Sequence, residues 1–365
     1  MAKVWALGCG LVGEFVIRKL LAAGHEVGIV DLSIPSELIS HQGTDSRIGD
    51  VFEILEEIIE EQNHNSDKDS NCGIGDVSLF INLLPGGIGS KVRHILLKQG
   101  NTVIDLAFTE QNPSIEEDTA VANGGRLIWD IGIAPGFSNL LIAHAQRQFG
   151  HLAMGTVKVG GNPQNPDGEW SYMAPFSPAD VIAEYTRPAR IIRGGRVTEV
   201  PAITDKHLIQ VGGKGEMEAF LTDGLRSLLT TINANELLEY TVRWPGHIDR
   251  FVSLRDSGGL DEAKLLQEWK MKAEIPEFTW MEVIATSLGG DTMRWTVEDE
   301  GGDDGSSMAR TTGLVTTCCA LMFIDRPTLL PPGVHPPEAL PANEASEIME
   351  YLKQNGVHIS GPAIK

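Results

Sequence analysis

Cysteine is scarce, and its placement excludes the commoner cysteine chemistries. The four residues Cys9, Cys72, Cys318 and Cys319 form no CxxC pair and join no cluster with metal-ligand spacing. No metal site is expected, and four reduced thiols suit a reducing compartment. Cys9 reads as a small filler in a glycine turn, and Cys318 and Cys319 as core positions of an apolar helix. Basic residues are also short, with Lys+Arg 29 against Asp+Glu 50 and a formal net charge of −21. Neutralising phosphates takes surplus Lys and Arg, so no nucleic-acid partner is expected. The acidic surface keeps the chain solvated and would draw a cationic substrate. No apolar run reaches the length of a membrane span, and no leader precedes the first apolar strand, so the expectation is a cytoplasmic protein with no membrane partner. HExxH and GxSxG are missing, so metal-hydrolase and serine-esterase chemistry lack their motifs. There is no internal repeat.

What is present begins at once. Lys3 to Leu7 predicts a strand, Gly8-Cys9-Gly10-Leu11-Val12-Gly13 a turn, Glu14 to Ala23 a helix, and His25 to Val30 a second strand closed by Asp31. This is the dinucleotide fingerprint in order. Gly8 tightens the turn, Gly10 lets a pyrophosphate approach the backbone, and Gly13 lets helix and strand pack closely. The helix N-terminus offers N–H groups and a positive dipole end. Asp31 accepts from both ribose hydroxyls of NAD and repels the 2′-phosphate of NADP, which makes NAD the expected cofactor.

Strands and helices then alternate up to Ile131, predicting a doubly wound parallel sheet of α/β class. Beyond Pro135-Gly136 the rhythm changes to alternating strand patterns, at Gly155–Gly161, Ala189–Val200, Tyr240–Trp244, Phe278–Ser287 and Thr292–Glu298. These predict a second domain of α+β type. Short helices are expected at Glu236–Glu239 and Leu265–Trp269, a helix start within the Gly215 to Arg226 stretch, a long apolar helix at Met308–Phe323 and a last one at Ala345–Asn355.

Ligands of open α/β sheets bind beyond the carboxyl ends of the strands. There stand Asp31, Asp50 with Val51, Leu83-Leu84-Pro85, Asp105 and Asp130. Leu83, Leu84 and Pro85 offer apolar contact and backbone to the nicotinamide ribose. Asp130 either orients or deprotonates a substrate amine or caps a turn. In the second domain, Arg187, Arg243 and Arg310 are candidate clamps for a carboxylate, or surface ion pairs. Glu216 is a candidate acidic lining for a cationic substrate. His247 is the second candidate for the base, or a structural histidine.

Several long stretches carry a resemblance: GCGLVG with VDLS, INLLPGGIGSKVRHILLKQGNTVIDLAF, DIGIAPGFSNLL, EYTRPARIIRGGRVTEVPAI, GEMEAFLTDGLRSLL, RWPGHIDRFVSLRD and SMARTTG. With these the chain resembles the saccharopine dehydrogenase-like oxidoreductases, and in particular their L-lysine 6-dehydrogenase-like branch. The resemblance implies a Rossmann domain, 1–130 and 307–365, interrupted by a substrate and dimerisation domain, 131–306, in a homodimer. Fungal-type saccharopine reductases carry an aspartate just before the Pro-Gly dipeptide, where this chain has Ala134, and generally prefer NADP. The branch implies NAD-dependent oxidative deamination of lysine at the ε-amine. A saccharopine- or carboxynorspermidine-type dehydrogenase is the alternative within the family, and a non-catalytic NAD-binding protein the alternative outside it.

Overall fold

A computed structural model describes residues 2–66, 79–174 and 178–365. Cys72, most of the loop expected from His64 to Gly75, and the expected strand start at Val77 lie outside the described residues. In chain order the elements are β1 (Lys3–Leu7), α1 (Leu11–Ala22), β2 (Glu26–Asp31), α2 (Ser36–Ile39), β3 (Thr44–Ile48), α3 (Val51–Ser66), β4 (Leu79–Asn82), α4 (Gly86–Lys98), β5 (Thr102–Asp105), α5 (Glu117–Asn123) and β6 (Arg126–Trp129). They continue with α6 (Phe137–Phe149), β7 (Leu152–Pro163), α7 (Pro178–Thr186), β8 (Ala189–Arg193), β9 (Arg196–Val200), β10 (His207–Val211), β11 (Gly215–Leu221), α8 (Leu228–Thr231), β12 (Ala234–Arg243), α9 (His247–Asp256), α10 (Glu262–Glu268), β13 (Glu277–Ser287) and β14 (Thr292–Asp299). The last are α11 (Ser307–Asp325), β15 (Gly333–His335), α12 (Ala342–Gln354) and β16 (His358–Ser360). Two compact units result, one of Met1–Gly132 with Gly313–Leu340, the other of Ile133–Thr312 with Pro341–Lys365.

The first unit is a parallel sheet in the order β15-β6-β5-β4-β1-β2-β3. β4 and β5 are buried throughout and β1 beyond its first residue, as strands covered on both faces must be. Trp5, Leu7, Val30, Phe80, Val103 and Leu127 form the core together with Ile54, Leu55 and Ile58 of α3. Gly28 has no side chain for a physical reason: a Cβ there would lie 2.2 Å from the Trp5 ring. The strand order reverses at β1, so the glycine turn stands at the topological switch point where such sheets bind nucleotides.

The second unit is a mixed sheet in the order β10-β11-β12-β7-β13-β14-β16, with β8 and β9 appended through β12. Its pairs are antiparallel except β7 with β12. The β8–β9 hairpin turns at Gly194-Gly195, whose φ angles of 57° and 72° need glycine. One core cluster joins Met217, Ala219, Leu238, Tyr240, Val242 and Trp280. A second joins Tyr172, Val181, Tyr185, Phe220, Phe251 and Trp269.

Several expectations are corrected here. Glu236–Glu239 is not a helix but part of β12, because pairing of Leu237 and Leu238 with Gly155 and Thr156 overrides the local helix preference. The stretch from Gly215 is β11, with Met217, Ala219 and Leu221 alternating into the core. Residues from Pro341 onward belong to the second unit rather than the nucleotide unit, since β16 extends the sheet at β14 and the Trp295 indole donates to the Pro362 carbonyl. Ser307–Asp325 is long and apolar enough to cross a membrane by composition, contrary to expectation, but 83% of its window is buried inside the protein, as in a core helix.

Candidate functional site

In the first unit the three glycines do different things. Gly8 has φ 108°, and a Cβ there would lie 2.9 Å from the Leu83 carbonyl oxygen. At Gly13 a Cβ would lie 2.3 Å from the Gly8 carbonyl oxygen. Both positions therefore need glycine for the fold itself. Gly10 is the N-cap of α1, without a side-chain cap, and a Cβ there would meet nothing within 4 Å. The α1 N-terminus is thus bare on the side from which a phosphate would approach. Backbone bonds from Gly8 to Val30 and from Leu83 to Leu7 hold the ends of β1, β2 and β4 in register.

Asp31 leans over this turn. Its Oδ2 accepts from the Cys9 N–H at 2.6 Å and its Oδ1 from the Ser33 N–H at 3.0 Å. Each oxygen keeps a lone pair for a further donor such as a ribose hydroxyl. Burial, and then the Asp31 charge, push the Cys9 thiol up to about 12, so Cys9 is the inert filler that its position suggested. Asp50 accepts from the Phe52 N–H at 2.8 Å and so caps α3, with Val51 as the first residue of that helix. Leu83 and Leu84 are half-buried, and Pro85 is the exposed N-cap of α4. Leu11, Leu32, Ile48 and Ile88 follow or end β1, β2, β3 and β4 and are all exposed. An apolar rim left open along the carboxyl ends of these strands suits flat rings. Only Leu11 of these four was singled out from the sequence, because isolated apolar residues at strand ends leave no periodic signal.

Behind the rim lies a buried polar knot. Asn82 Nδ2 donates to the Gly89 carbonyl and to Asp105 Oδ1, both at 2.9 Å, and Arg93 donates to Asp105 Oδ2. Burial pushes the Asp105 carboxyl up to about 6 against the pull of Arg93, and the charge of Asp130 adds to the rise. Asp130 is buried and held at φ 55°, a left-handed conformation that aspartate tolerates better than most residues.

The second unit gathers Arg243, Tyr172, Tyr185, His247, Trp170 and Trp269, all buried. Arg243 Nε donates to Tyr185 Oη at 2.8 Å, and Nη1 donates to the Val242 carbonyl at 2.9 Å. The guanidinium lies over the Tyr172 ring, 4.6 Å from its centroid. Apart from its interaction with the Arg243 guanidinium, the buried Tyr172 hydroxyl has no hydrogen-bond partner among the described residues. Burial pushes the Tyr172 phenol up to about 12. For Arg243, burial works against the charge, but Tyr185, Tyr172 and Glu184 outweigh it and raise its pKa.

The other expected residues are engaged elsewhere. His247 Nδ1 faces the Trp170 carbonyl at 3.0 Å and Nε2 faces Tyr185 Oη at 3.2 Å. A carbonyl only accepts, so Nδ1 carries the proton and the tyrosine donates to Nε2. Burial, then Arg243, drives its pKa down to about 3. A neutral imidazole with both nitrogens occupied positions Tyr185 and is not the candidate base. Arg187 and Arg190 both pair with Asp223, at 2.9 and 2.7 Å. Arg310 bonds Asp299, Asp304 and, at 2.6 Å, the Asn355 carbonyl. Glu216 sits exposed on β11 opposite Gln210 and does not join the Arg243 cluster. Of the expected clamps, Arg187 and Arg310 pair with carboxylates, while Arg243 is held by tyrosines and a backbone carbonyl. Tyr172 was missed, since its partners lie far along the chain. Among the described residues, no group of His, Cys, Asp and Glu could hold a metal ion.

Residues 132–357 match the family model described as the saccharopine dehydrogenase C-terminal domain. The chain is 22% identical over 243 residues to a saccharopine dehydrogenase (NADP+, L-glutamate-forming) of Schizosaccharomyces pombe, a match covering 60% of this chain and 51% of that protein. The chain thus spans about half the length of this curated relative. Its fold is similar to that of the apo saccharopine dehydrogenase (L-Glu forming) of Saccharomyces cerevisiae, with a TM-score of 0.72 at 14% identity over 99% of this chain and 100% of that one. It is also similar to the homospermidine synthase of Legionella pneumophila solved in complex with NAD, with a TM-score of 0.68 at 12% identity over 100% of this chain and 92% of that one. With the family model covering more than half of its length, the chain belongs to the saccharopine dehydrogenase family.

Proposed function

We propose that this protein is an NAD-dependent oxidoreductase acting on a carbon–nitrogen bond of an amino acid, and that it oxidises L-lysine at the ε-amine. The observation that carries the amino-acid reading is Arg243, a buried guanidinium held by Tyr185, Tyr172 and a backbone carbonyl rather than by a carboxylate. A cation and a hydroxyl, both withdrawn from water, are a fitting pair of donors for a carboxylate. The choice of NAD rests on Asp31, whose carboxylate beside the glycine turn would repel a 2′-phosphate.

The bare α1 N-terminus at Gly10 would take the pyrophosphate, Asp31 the ribose hydroxyls, and the residues at Leu11, Asp50-Val51 and Leu83-Leu84-Pro85 the rings and the second ribose. When bound, NAD supplies the acceptor for the hydride given up by the amine-bearing carbon. In the nucleotide unit Asp130 is the candidate to hold or deprotonate an ammonium, and in the second unit Arg243 and Tyr172 are the candidate donors to a carboxylate. Loss of hydride turns the amine into an iminium. Water adds to that carbon, ammonia leaves, and the semialdehyde closes to a piperideine carboxylate. The homodimer and the cytoplasmic location expected from the sequence are part of this proposal.

A second reading, a dehydrogenase for saccharopine or another larger secondary amine, is favoured by the name of the curated relative. Following nicotinamide reduction with NAD or NADP over a panel of lysine, saccharopine and diamines separates the two. Turnover of lysine with NAD is expected. Turnover of saccharopine without lysine replaces the first reading with the second, and tight NAD binding without any turnover points to a non-catalytic protein.

A further inference from the structure

Along β12, Glu239, Thr241 and Arg243 alternate onto one face of the strand. The face starts at a sealed carboxyl, for Glu239 is 5% exposed, and ends at the Arg243 cluster. Glu239 Oε2 faces the Thr222 hydroxyl at 2.7 Å, and that hydroxyl faces Thr241 Oγ1 at 2.8 Å. Thr241 Oγ1 in turn bonds Glu184 Oε1 on α7. Four side chains thus form one unbroken line of oxygens. Gly224 is what lets Glu239 fit, since a Cβ there would lie 2.5 Å from the Glu239 carboxyl carbon.

The protons in this line can be counted. Three oxygen–oxygen contacts at hydrogen-bond distance need three protons between them. The two threonine hydroxyls supply two. With both glutamates ionised, each threonine would donate outward, leaving the two buried threonine oxygens facing each other without a proton. One carboxyl proton completes the line in either direction.

We propose that Glu239 and Glu184 hold a single proton between them at neutral pH, and that Thr222 and Thr241 form a relay that carries it from the sealed carboxyl to the one whose charge acts on Arg243. Moving the proton along the line reverses both hydroxyls and transfers the negative charge from one glutamate to the other, with no other change in composition. Burial, followed by the Glu184 charge, pushes Glu239 up to about 8, so the resting proton sits on Glu239 and the charge on half-buried Glu184. The other charged or titratable groups near the line include Asp223, paired with Arg187 and Arg190, Arg243 with Tyr172 and Tyr185, and Glu218, which stands opposite Arg243 on β11 and pairs with Lys206. An anion seated at Arg243 would repel the charge on Glu184 and draw the proton toward it. That consequence rests on the proposed substrate clamp; the shared proton does not.

Infrared spectroscopy of the full chain without ligand, titrated in H2O and D2O, tests this. The wild type is expected to show the carbonyl stretch of a protonated carboxyl at neutral pH, shifted in D2O and lost in Glu239→Gln. Thr241→Val leaves both carboxylates but frees Thr222 to donate to an ionised Glu239. The relay therefore predicts a titration midpoint lower by about one pH unit or more, a tenfold change in proton affinity. Absence of a protonated carboxyl at neutral pH, or its persistence in Glu239→Gln, overturns the shared proton. A midpoint unchanged or raised in Thr241→Val overturns the relay, because burial alone then explains the protonation. Should Thr241→Val not fold, the wild-type and Glu239→Gln spectra still decide the shared proton, and Thr241→Ser should restore the wild-type midpoint.

Discussion

Replacing Gly10 and Gly13 separately by alanine splits nucleotide binding from folding. At Gly13 the new methyl would stand 2.3 Å from the Gly8 carbonyl oxygen and 3.0 Å from its carbon. Both are backbone atoms of the turn and cannot swing aside as a side chain would. Overpacking of this kind costs about 1–3 kcal/mol, and the rigid neighbours place it in the upper part of that range. The corresponding fall in Tm is roughly 5–10 °C for a unit of this size. At Gly10 the backbone is extended, with φ −74° and ψ −168°, and a Cβ would meet nothing within 4 Å. The loss there is a modest N-cap preference, about 1 kcal/mol or less. The methyl would instead stand where the pyrophosphate meets the bare helix N-terminus. A tenfold or greater weakening of NAD binding, about 1.4 kcal/mol, is expected. Thermal unfolding of both variants, with calorimetric titration of NAD, reads the two effects. Wild-type NAD affinity in Gly10→Ala, or a Gly13→Ala protein as stable as Gly10→Ala, would refute the reasoning.

Tyr172→Phe removes a hydroxyl whose only described polar neighbour is Arg243, so Tm should change little while KM for the amino acid increases several-fold in steady-state kinetics. An unchanged KM would separate Tyr172 from the substrate. Asp223→Asn leaves Arg187 and Arg190 beside a neutral amide in a buried setting and should cost about 3–5 kcal/mol in denaturant unfolding. The folded pKa of His247, about 3, lies below its ordinary value of 6.5, so the neutral ring's stabilisation is present above pH 6.5 and is lost as pH falls toward 3. His247→Asn keeps a donor for the Trp170 carbonyl. It should therefore flatten that acid limb, which would otherwise fall by about 1.4 kcal/mol per pH unit. Identical acid limbs in wild type and variant would show that His247 is not buried neutral.

The nucleotide unit is legible in the sequence because its signals are local. Gly8, Gly10, Gly13 and Asp31 act within one strand–turn–helix–strand unit; Gly13 packs on the Gly8 carbonyl of the same turn, and Gly10 leaves the helix start open. The second unit is less so. Its strands pair across long separations, and Glu-Leu-Leu-Glu at 236–239, helical by local preference, becomes strand only because β7 lies beside it. Whether an arginine is a clamp or an ion pair depends on a distant partner: Asp223 claims Arg187, and Asp299 claims Arg310, while Arg243 bonds a tyrosine instead of a carboxylate. The same holds for His247. Its place at a turn after a strand suggests chemistry, and only its burial against Trp170 and Tyr185 gives it a positioning task.

The most direct test of the central claim follows the hydride. Lysine carrying deuterium on the ε-carbon, incubated with the purified protein and NAD, should give reduced cofactor bearing one deuterium for each ammonia released. No reduction with lysine under conditions where saccharopine is oxidised, or label absent from the cofactor, would contradict it.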